Sequence, residues 1–286
     1  MLRAFFGHHK AATTWARNIL RESTVAMKLD MQVVHSPAVW DGHKSLGDWV
    51  EAARPDLIVL TNARIEDVDT LPELRGVHVI RDPRDILVSG YFSHMNSHPE
   101  VVDGVPWDDL PPHRQYLREV DEDEGLLAEL EFIAPYIDSM STWRQQPNIL
   151  ELRMEDLTHD PLTAWRPIFA HLQLARPESS WTDFARWGLV RWNLAQRRQT
   201  PPALAQLRRF LPAVPIAALP AGYVPEVLDR YSFASLTDGR QVGEEDQGHH
   251  YRRGVAGDWR NHLKPVHLKA FRDRFGDLVE RLGYEW

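Results

Sequence analysis

LRAFFGHHKAATTW, residues 2–15, predicts a strand, a tight loop and the beginning of a helix in direct succession. The apolar run of residues 2–6 is typical of a short buried strand. The next residues form a loop that carries Lys10, and Thr13 and Thr14 come where the helix begins. Free N–H groups and the positive end of the helix dipole attract anions at such a position, and the lysine and threonine side chains add charge and donors. The stretch therefore predicts a phosphate-binding cradle.

The loop departs from the strict phosphate-loop pattern G-x-x-x-x-G-K-[ST]. No glycine directly precedes Lys10, and two residues separate the lysine from Thr13. A plain strand–turn–helix with a surface lysine fits this stretch equally well. The phosphate interpretation therefore depends on further anion-binding motifs elsewhere in the chain.

Apolar runs alternate with helical patterns along much of the chain. The predicted strands are residues 2–6, 31–34, 56–61, 76–80 and 148–152. The predicted helices are residues 13–24, 42–53, 86–94, 125–144, 161–174, 179–198 and 265–282. Such alternation favours a parallel sheet with helices on both faces. We expect an α/β fold, with a P-loop-like sheet of about five strands in a three-layer α/β/α arrangement, as one domain over residues 1–286.

Three segments carry no strand or helix pattern. Residues 107–112 are rich in proline and predict a loop. Residues 201–225 are rich in proline and alanine, and predict irregular packing over the body of the protein or a lid. Residues 238–250 are polar and contain glycine, which predicts another loop.

The composition argues against several classes of protein. The formal net charge of -8 disfavours a bulk nucleic-acid binder, and the absence of cysteine excludes disulfides, thiolate nucleophiles and zinc–thiolate sites. No apolar run approaches the ~18 residues that span a bilayer. The chain begins with a strand pattern rather than with the basic and apolar segments of a secretory signal. We therefore expect a cytoplasmic protein without a membrane span or a nucleic-acid partner.

A second anion-binding signal comes directly after the fourth predicted strand. The sequence there is RDPRD, residues 81–85, and Ser89 lies about two helical turns beyond Arg81. Ligands bind at the carboxyl ends of the strands in open α/β folds, so Arg81 and Ser89 could contact the same anion. Surface salt bridges around a helix N-terminus explain this charge pattern equally well.

A third signal is HYRRGVAGDWR, residues 250–260. Arg252 and Arg253 followed by Gly254 allow guanidinium groups and main chain to approach one phosphate together. The alternative is a basic loop paired with the acidic residues 244–246.

On the strength of these residues, the chain resembles the sulfotransferase family that uses 3'-phosphoadenosine 5'-phosphosulfate (PAPS), in its cytosolic-type and bacterial branches. The resemblance covers nearly the whole chain. Its five motifs are KAATTW at residues 10–15, VIRDPRD at 79–85 with Ser89, RMEDL at 153–157, YSF at 231–233 and RRGVAGDW at 252–259. Each motif is weak alone, but all five occur in the family's order.

The resemblance implies a role for each matching residue. Lys10 would lie by the 5'-phosphosulfate and neutralise charge on the bridging oxygen, within a 5'-phosphosulfate motif that also includes Ala11 and Ala12. Thr13 and Thr14 would hold the 5'-phosphate.

At the other end of the nucleotide, the residues implied for the 3'-phosphate are Arg81, Ser89, Arg252, Arg253 and Gly254. Trp15 and Phe233 would stack on the adenine, with core packing as the alternative for both. Sulfuryl transfer should proceed as an in-line displacement that leaves 3'-phosphoadenosine 5'-phosphate (PAP). No metal is required, and the sequence shows no convincing metal-ligand spacing.

The chain departs from the cytosolic branch at the general base. That branch has a histidine after the third strand, whereas residues 60–66 here contain none. His94 is the preferred replacement, and the other candidates are His98, Glu66, His8 and His9.

Smaller departures affect binding and assembly. Met154 stands where the family commonly has tyrosine, and Arg253 where lysine is commoner. The branch's dimerisation signature is not matched within residues 264–280, so the oligomeric state stays open.

We expect transfer to a hydroxyl or amine of a small-molecule, lipid or sugar acceptor. The loops around residues 40, 62–66, 94–107 and 201–225 would form its pocket, and their apolar and aromatic residues favour an apolar or mixed acceptor. Two other functions fit the sequence: a small-molecule kinase dependent on Mg²⁺ and ATP, and a catalytically inactive nucleotide-binding protein that serves as a sensor or scaffold.

Overall fold

The computed structural model describes residues 1–102, 104–178, 181–195 and 212–286. The central sheet consists of five parallel strands: β1 Leu2–Phe6, β2 Met31–Val34, β3 Leu57–Leu60, β4 Leu74–Ile80 and β7 Ile149–Arg153. Their order in the sheet is β2-β3-β1-β4-β7. A small antiparallel hairpin is formed by β5 Val101–Val102 and β6 Val105–Pro106. The predicted five-stranded parallel sheet is confirmed. Since β1 lies between β3 and β4, the loop after β1 leaves the middle of the carboxyl edge.

Helices cover both faces of this sheet, as predicted. They are α1 Thr13–Met27, α2 Leu46–Ala53, α3 Ile65–Val68, α4 Pro83–Asn96, α5 Leu110–Glu119, α6 Glu122–Ser141, α7 Met154–His159, α8 Pro161–His171, α9 Asp183–Ala195, α10 Tyr223–Arg230, α11 Phe233–Leu236, α12 Trp259–His262, α13 Pro265–Phe275 and α14 Leu278–Arg281. Among the described residues, no helix is long and apolar enough to cross a membrane.

The core forms on both faces because successive strand residues point in opposite directions. Phe5 is fully buried in a cluster with Ile19 of α1 and Trp165 of α8. Phe6, its neighbour, is fully buried in a second cluster with α2 and α3. This burial explains why the strands of the sheet read as continuous apolar runs rather than as alternating patterns.

A third cluster includes Ile80, the last residue of β4. It joins α4, α6 and α13, with Leu87, Leu130 and Phe271 among its buried members. Glu129 of α6 is also fully buried there, although the rest of that helix face is apolar. The polar groups of the candidate site lie where this cluster meets the loop after β1.

Several predicted boundaries were wrong. The predicted loop at residues 107–112 already enters α5, whose first turn accepts two prolines because its N–H groups need no helical partner. The predicted closing helix at 265–282 is two helices, separated at Gly276, where φ is 62°. The helix predicted from residue 42 begins at Leu46, after Ser45 accepts a hydrogen bond from the amide of Asp48.

Part of two other predictions lies outside the described residues. Of the segment at 201–225, residues 201–211 are not described, residues 212–216 are irregular, and α10 begins at Tyr223. Of the predicted helix at 179–198, the structure describes a helix over Asp183–Ala195.

Candidate active site

The loop after β1 is shaped by close packing and by two residues with left-handed backbone. Lys10 and Ala12 have φ angles of 62° and 55°, a conformation that residues other than glycine rarely adopt. The Thr13 hydroxyl donates to the carbonyl of His8 at 3.0 Å. A Cβ on Gly7 would lie 2.4 Å from that hydroxyl oxygen, so the first turn of α1 requires glycine at residue 7.

The N-terminus of α1 lacks a side-chain cap, because Ala12 occupies the N-cap position. Its first amides are therefore left to a ligand or to water. The helix also has no acidic residue in its first turn. Both features suit the binding of an anion at this end of the helix.

Two of the sequence motifs meet at this loop. Arg81, at the end of β4, is buried and donates from Nη1 to the carbonyl oxygen of Lys10 at 2.6 Å. On the other side, the amide of Ala63 donates to the carbonyl of Gly7 at 2.9 Å. The loop is thus fastened to the segments that follow both neighbouring strands of the sheet.

A cavity of about 1020 Å³ opens over the loop. Its walls include most of the predicted site residues, which come from both ends of the chain: Lys10, Ala12, Thr13, Thr14, Trp15, Arg81, Ser89, Phe233, Arg252, Arg253 and Gly254. Ala11 is fully buried and does not line the cavity.

The C-terminal arginines are held by a carboxylate that the sequence interpretation did not assign. Asp258 accepts hydrogen bonds from both Arg252 and Arg253. Although burial alone would raise the pKa of Asp258, hydrogen bonds from His262, Asn261 and Arg252 hold it well below its usual value. The arginines are therefore paired with a firmly ionised carboxylate.

A second carboxylate fixes this segment to α4. Asp85, in the first turn of α4, accepts hydrogen bonds from the amides of Gly257 at 2.6 Å and Trp259 at 2.9 Å. These bonds bring the arginine segment beside Arg81, although Arg81 and Arg252 are 171 positions apart in the sequence. Asp85 belongs to the RDPRD motif, so the signal was present in the sequence but was interpreted only as charge.

The two predicted adenine-binding aromatics are positioned by main-chain contacts. The indole N–H of Trp15 donates to the carbonyl of Tyr231 at 2.7 Å, and its ring meets Trp165 edge to face at 5.5 Å. Phe233 packs against Gly254, where a Cβ would lie 2.7 Å from the phenyl ring and where φ is 69°. Each aromatic side chain presents part of its surface to the cavity.

The amine of Lys10 lies among positive neighbours. Burial lowers the pKa of Lys10 to about 7; the charges of Arg81 and Arg252 act in the same direction, while Glu129 opposes them. An anion bound here would restore the charge of the lysine, because an opposite charge favours the protonated form.

His94, the predicted general base, is fully buried and lies behind the cavity wall. Its Nδ1 bonds to Glu129 at 2.8 Å, and its Nε2 bonds to Nε2 of His9 at 3.0 Å. His9 and His98 line the cavity. The role of His94 stays a prediction, and its position means that it would act through His9 rather than by contact with an acceptor.

The remaining base candidates are placed differently. His8 also lines the cavity but is almost fully buried, and its Nε2 bonds to Nε2 of His78 at 2.7 Å. Glu66 is exposed and lies outside the cavity wall. Thr61 and Asn62, after β3, line the cavity in the region where the cytosolic branch carries its histidine.

Two groups of side chains have the atom types and the proximity of a metal site. His9, His94 and His98 each offer a ring nitrogen within 4.8 Å of the others, as do His94, His113 and Glu129 with one nitrogen or oxygen each. His94 and His98 are four residues apart, but the other members come from three further segments, so the sequence did not show either group as a whole.

Residues 6–184 match the family model described as a sulfotransferase domain. This span is more than half of the chain, and the chain therefore belongs to the sulfotransferase domain family. No curated protein matches it significantly.

Solved structures similar to this chain include a mouse sulfotransferase, SULT7A1, complexed with PAP, at 12% identity and a TM-score of 0.48 over 97% of this chain and 84% of that chain. Another is retinol dehydratase in complex with androsterone and the inactive cofactor PAP, at 14% identity and a TM-score of 0.49 over 100% of this chain and 82% of that chain. A third is retinol dehydratase in a complex with retinol and PAP, at 12% identity and a TM-score of 0.46 over 100% of this chain and 83% of that chain.

Proposed function

We propose that the protein transfers a sulfuryl group from PAPS to a hydroxyl or amine of a small-molecule, lipid or sugar acceptor. The observation that carries this proposal is the meeting of three basic segments on one cavity. The loop of Lys10, the strand end at Arg81 and the segment of Arg252 and Arg253 all line it. Family membership over residues 6–184 supports the same reaction.

The two ends of the donor nucleotide would be held by different segments. Lys10, Thr13 and Thr14, with the uncapped amides of α1, suit the 5'-phosphosulfate. The group proposed for the 3'-phosphate comprises Arg81, Ser89, Arg252, Arg253 and Gly254. Trp15 and Phe233 supply flat apolar surface for the adenine between these ends.

In this reaction the protein mainly positions the reactants and stabilises the charge that develops. In the transfer, the bond from sulfur to the bridging phosphate oxygen breaks and a bond from sulfur to the acceptor atom forms. Lys10 would neutralise the charge that develops on the bridging oxygen, and a base must remove the acceptor's proton. PAP leaves with the electron pair of the broken bond.

The acceptor would enter on the side of the cavity that carries the hairpin of β5 and β6. Apolar and aromatic side chains line this side, among them Val102, Val105, Trp107 and Tyr136. They favour an acceptor that is apolar or mixed in character.

Three further predictions remain proposals. A single domain over residues 1–286 agrees with a site that draws residues from both ends of the chain. A cytoplasmic location and the absence of a nucleic-acid partner rest on the lack of cysteine and on the net charge of -8.

The first experiment is a thermal-shift titration with PAP, ATP–Mg²⁺ and AMP in parallel. A ligand present at 100 times its dissociation constant adds ~2.7 kcal/mol to the stability of the folded state. We expect stabilisation by PAP well above that by AMP. Stabilisation by ATP–Mg²⁺ alone would replace the sulfotransferase proposal with the kinase. Binding of PAP without turnover over a broad acceptor panel would favour the inactive nucleotide-binding protein.

A further inference from the structure

A continuous line of hydrogen bonds runs from the cavity wall to the surface of α5. His9 Nε2 lies 3.0 Å from His94 Nε2, and His94 Nδ1 lies 2.8 Å from Oε1 of Glu129. The other carboxyl oxygen of Glu129 lies 2.8 Å from Nε2 of His113. His94 and Glu129 have no exposed side-chain surface, whereas His9 lines the cavity and His113 is 10% exposed.

We infer that these four residues form a proton relay, in which His9 takes the proton of the acceptor and His113 releases a proton to solvent. This inference rests on the proposed function, since sulfuryl transfer to a hydroxyl or amine sets one proton free. His9 would be the catalytic residue, because it alone of the four lines the cavity. His94, Glu129 and His113 would be positioning residues that carry the proton away.

One assignment of hydrogens satisfies every bond in the line. His9 donates from Nε2 to His94 Nε2, His94 donates from Nδ1 to Glu129, and a protonated Glu129 donates from Oε2 to His113. When Nδ1 of His9 accepts a proton, each following group can receive one proton and pass on another. The line therefore moves one proton to His113 without leaving a charge on the buried members.

The electrostatics agree with this neutral arrangement. Burial holds the pKa values of His9 and His94 well below their usual value, and it raises the pKa of Glu129 well above its usual value. The charged or titratable groups that face His9 are Lys10, His98 and His250. Lys10, His98 and His113 likewise face His94, while Lys10 and Tyr136 face Glu129.

The packing around the line is specific. Glu129 can reach His94 because α4 carries glycine opposite it: a Cβ on Gly90 would lie 2.4 Å from Oε1 of Glu129. The carbonyl of His94 accepts a hydrogen bond from Nε of Arg114 at 2.7 Å. The ring of His9 is stacked on Tyr136 at 4.8 Å. These contacts restrict the orientations of His9, His94 and Glu129.

A metal ion is the competing occupant of the same cluster. The relay is favoured because the contacts have hydrogen-bond lengths and both nitrogens of His94 are already engaged. The charge of Lys10, which faces His9, His94 and His98, also opposes a divalent cation.

The chain contains a second line of the same type, which offers a matched control. His8 bonds through Nε2 to Nε2 of His78 at 2.7 Å, and His78 bonds through Nδ1 to Glu151 at 2.9 Å. Glu151 is 41% exposed, and this line does not reach His94 or Glu129. Glu151→Gln therefore makes the same chemical change as Glu129→Gln in a line of the same residue types, although its carboxylate is partly exposed and that of Glu129 is buried.

The first arm of the test needs no acceptor. Histidine side-chain ¹⁵N NMR of the whole protein, purified and dialysed against a chelator, should show the coupling across the hydrogen bond from His9 Nε2 to His94 Nε2. It should also show an unprotonated Nε2 on His113. Zn²⁺ should then bind the wild-type protein no better than it binds the His98→Ala variant, which lacks one of the three candidate metal ligands. Absence of the coupling, or one equivalent of metal retained or bound through His9, His94 and His98, would overturn the relay.

The second arm measures sulfation of phenol and 4-nitrophenol with PAPS. Glu129→Gln keeps the shape of the side chain but cannot pass a proton along. We expect kcat for phenol to fall about 100-fold, the contribution of a general base, and kcat for the more acidic 4-nitrophenol to fall much less. Glu151→Gln should change neither rate. Equal losses for both phenols in Glu129→Gln would contradict the relay.

The two proposals can fail separately. Thermal shifts with PAP report on the donor site, and they should be the same for Glu129→Gln and the wild-type protein. If PAP does not bind the wild-type protein, the proposed function fails first. If PAP binds but neither phenol reacts, the NMR arm alone decides the relay.

Discussion

Arg81 donates a hydrogen bond to the main-chain carbonyl of Lys10 at 2.6 Å, so the end of the fourth strand is fastened to the loop after the first. The lysine carbonyl is thereby turned toward Arg81, and the loop keeps the left-handed conformation of residue 10. An arginine predicted to hold the 3'-phosphate thus also shapes the loop that would receive the 5'-phosphosulfate. This contact would join the two anion sites that we propose for the donor.

Replacement of Lys10 by alanine should remove turnover and leave the fold intact. The amine is the cation placed to stabilise charge on the leaving oxygen, and loss of such a group costs about 100- to 1,000-fold in kcat. Lys28→Ala is the matched control, since Lys28 is also a lysine with left-handed backbone, φ 61°, and is exposed at the end of α1. Rates of PAP formation from PAPS measure the effect. A Lys10→Ala enzyme with wild-type rates would contradict the mechanism.

Binding of PAPS or PAP should take up a proton above neutral pH. The pKa of Lys10 is lowered to about 7 in the protein alone, so the amine is mostly neutral at about pH 8. A bound anion raises that pKa and draws a proton from the buffer. At about pH 5.5 the amine is already charged and no uptake is expected. Calorimetry in two buffers of different ionisation enthalpy measures the number of protons that the protein takes up on binding.

Lys10→Arg supplies the control for this measurement. Arginine stays protonated over the whole range, so the variant should bind without proton uptake at either pH. Equal uptake by the variant and the wild-type protein would assign the proton to another group.

Replacement of Arg253 by alanine should weaken the binding of PAP far more than the binding of AMP. A charge-assisted hydrogen bond contributes about 1.5–3 kcal/mol, which corresponds to a loss of roughly 10- to 100-fold in the affinity for PAP. Arg260→Ala is the control, because Arg260 is exposed in the same segment and does not line the cavity. Dissociation constants for both nucleotides decide the matter. Equal losses of affinity for PAP and AMP would show that Arg253 does not bind the 3'-phosphate.

Gly254→Ala should disturb the adenine pocket more than Gly257→Ala does. Both glycines have positive φ, 69° and 75°, so both substitutions carry similar backbone strain. A Cβ at residue 254 would also meet the ring of Phe233 at 2.7 Å, whereas at residue 257 it meets only the flexible end of Arg260. We expect about a tenfold weaker binding of PAP for the first variant. Similar affinities of the two variants would show that Phe233 does not form the pocket.

Much of the fold could be predicted because its strands are buried on both faces. Phe5 and Phe6 are packed on opposite sides of the sheet, so the strand reads as an unbroken apolar run. The predicted helix ends were less accurate where prolines or a glycine determine the end of a helix. Pro111 and Pro112 suggested a loop, yet they occupy the first turn of α5, where proline is well tolerated.

The candidate site was predictable where its residues lie in contiguous motifs and not where they meet only in space. Lys10 and Arg81 each end or follow a strand, which places them at one edge of the sheet. Glu129 was missed, although it lies on the apolar stripe that also carries Leu126, Leu130 and Ile133, where a carboxylate is unusual. Its partners His94 and His113 lie on two other helices, and their pairing depends on tertiary packing.

Asp258 gives the basic end of the cavity its own intramolecular competitor. Because this carboxylate is tethered to Arg252 and Arg253, an incoming anion meets an occupied pair of guanidinium groups rather than a bare cluster of charge. Association is then an exchange of one anion for another, in which the resident carboxylate has a high effective concentration. Chloride and other weak anions displace the Asp258 carboxylate poorly, whereas a doubly charged phosphate with several oxygens can displace it. The displacement of Asp258 would then select for a phosphorylated ribose independently of any contact with the adenine.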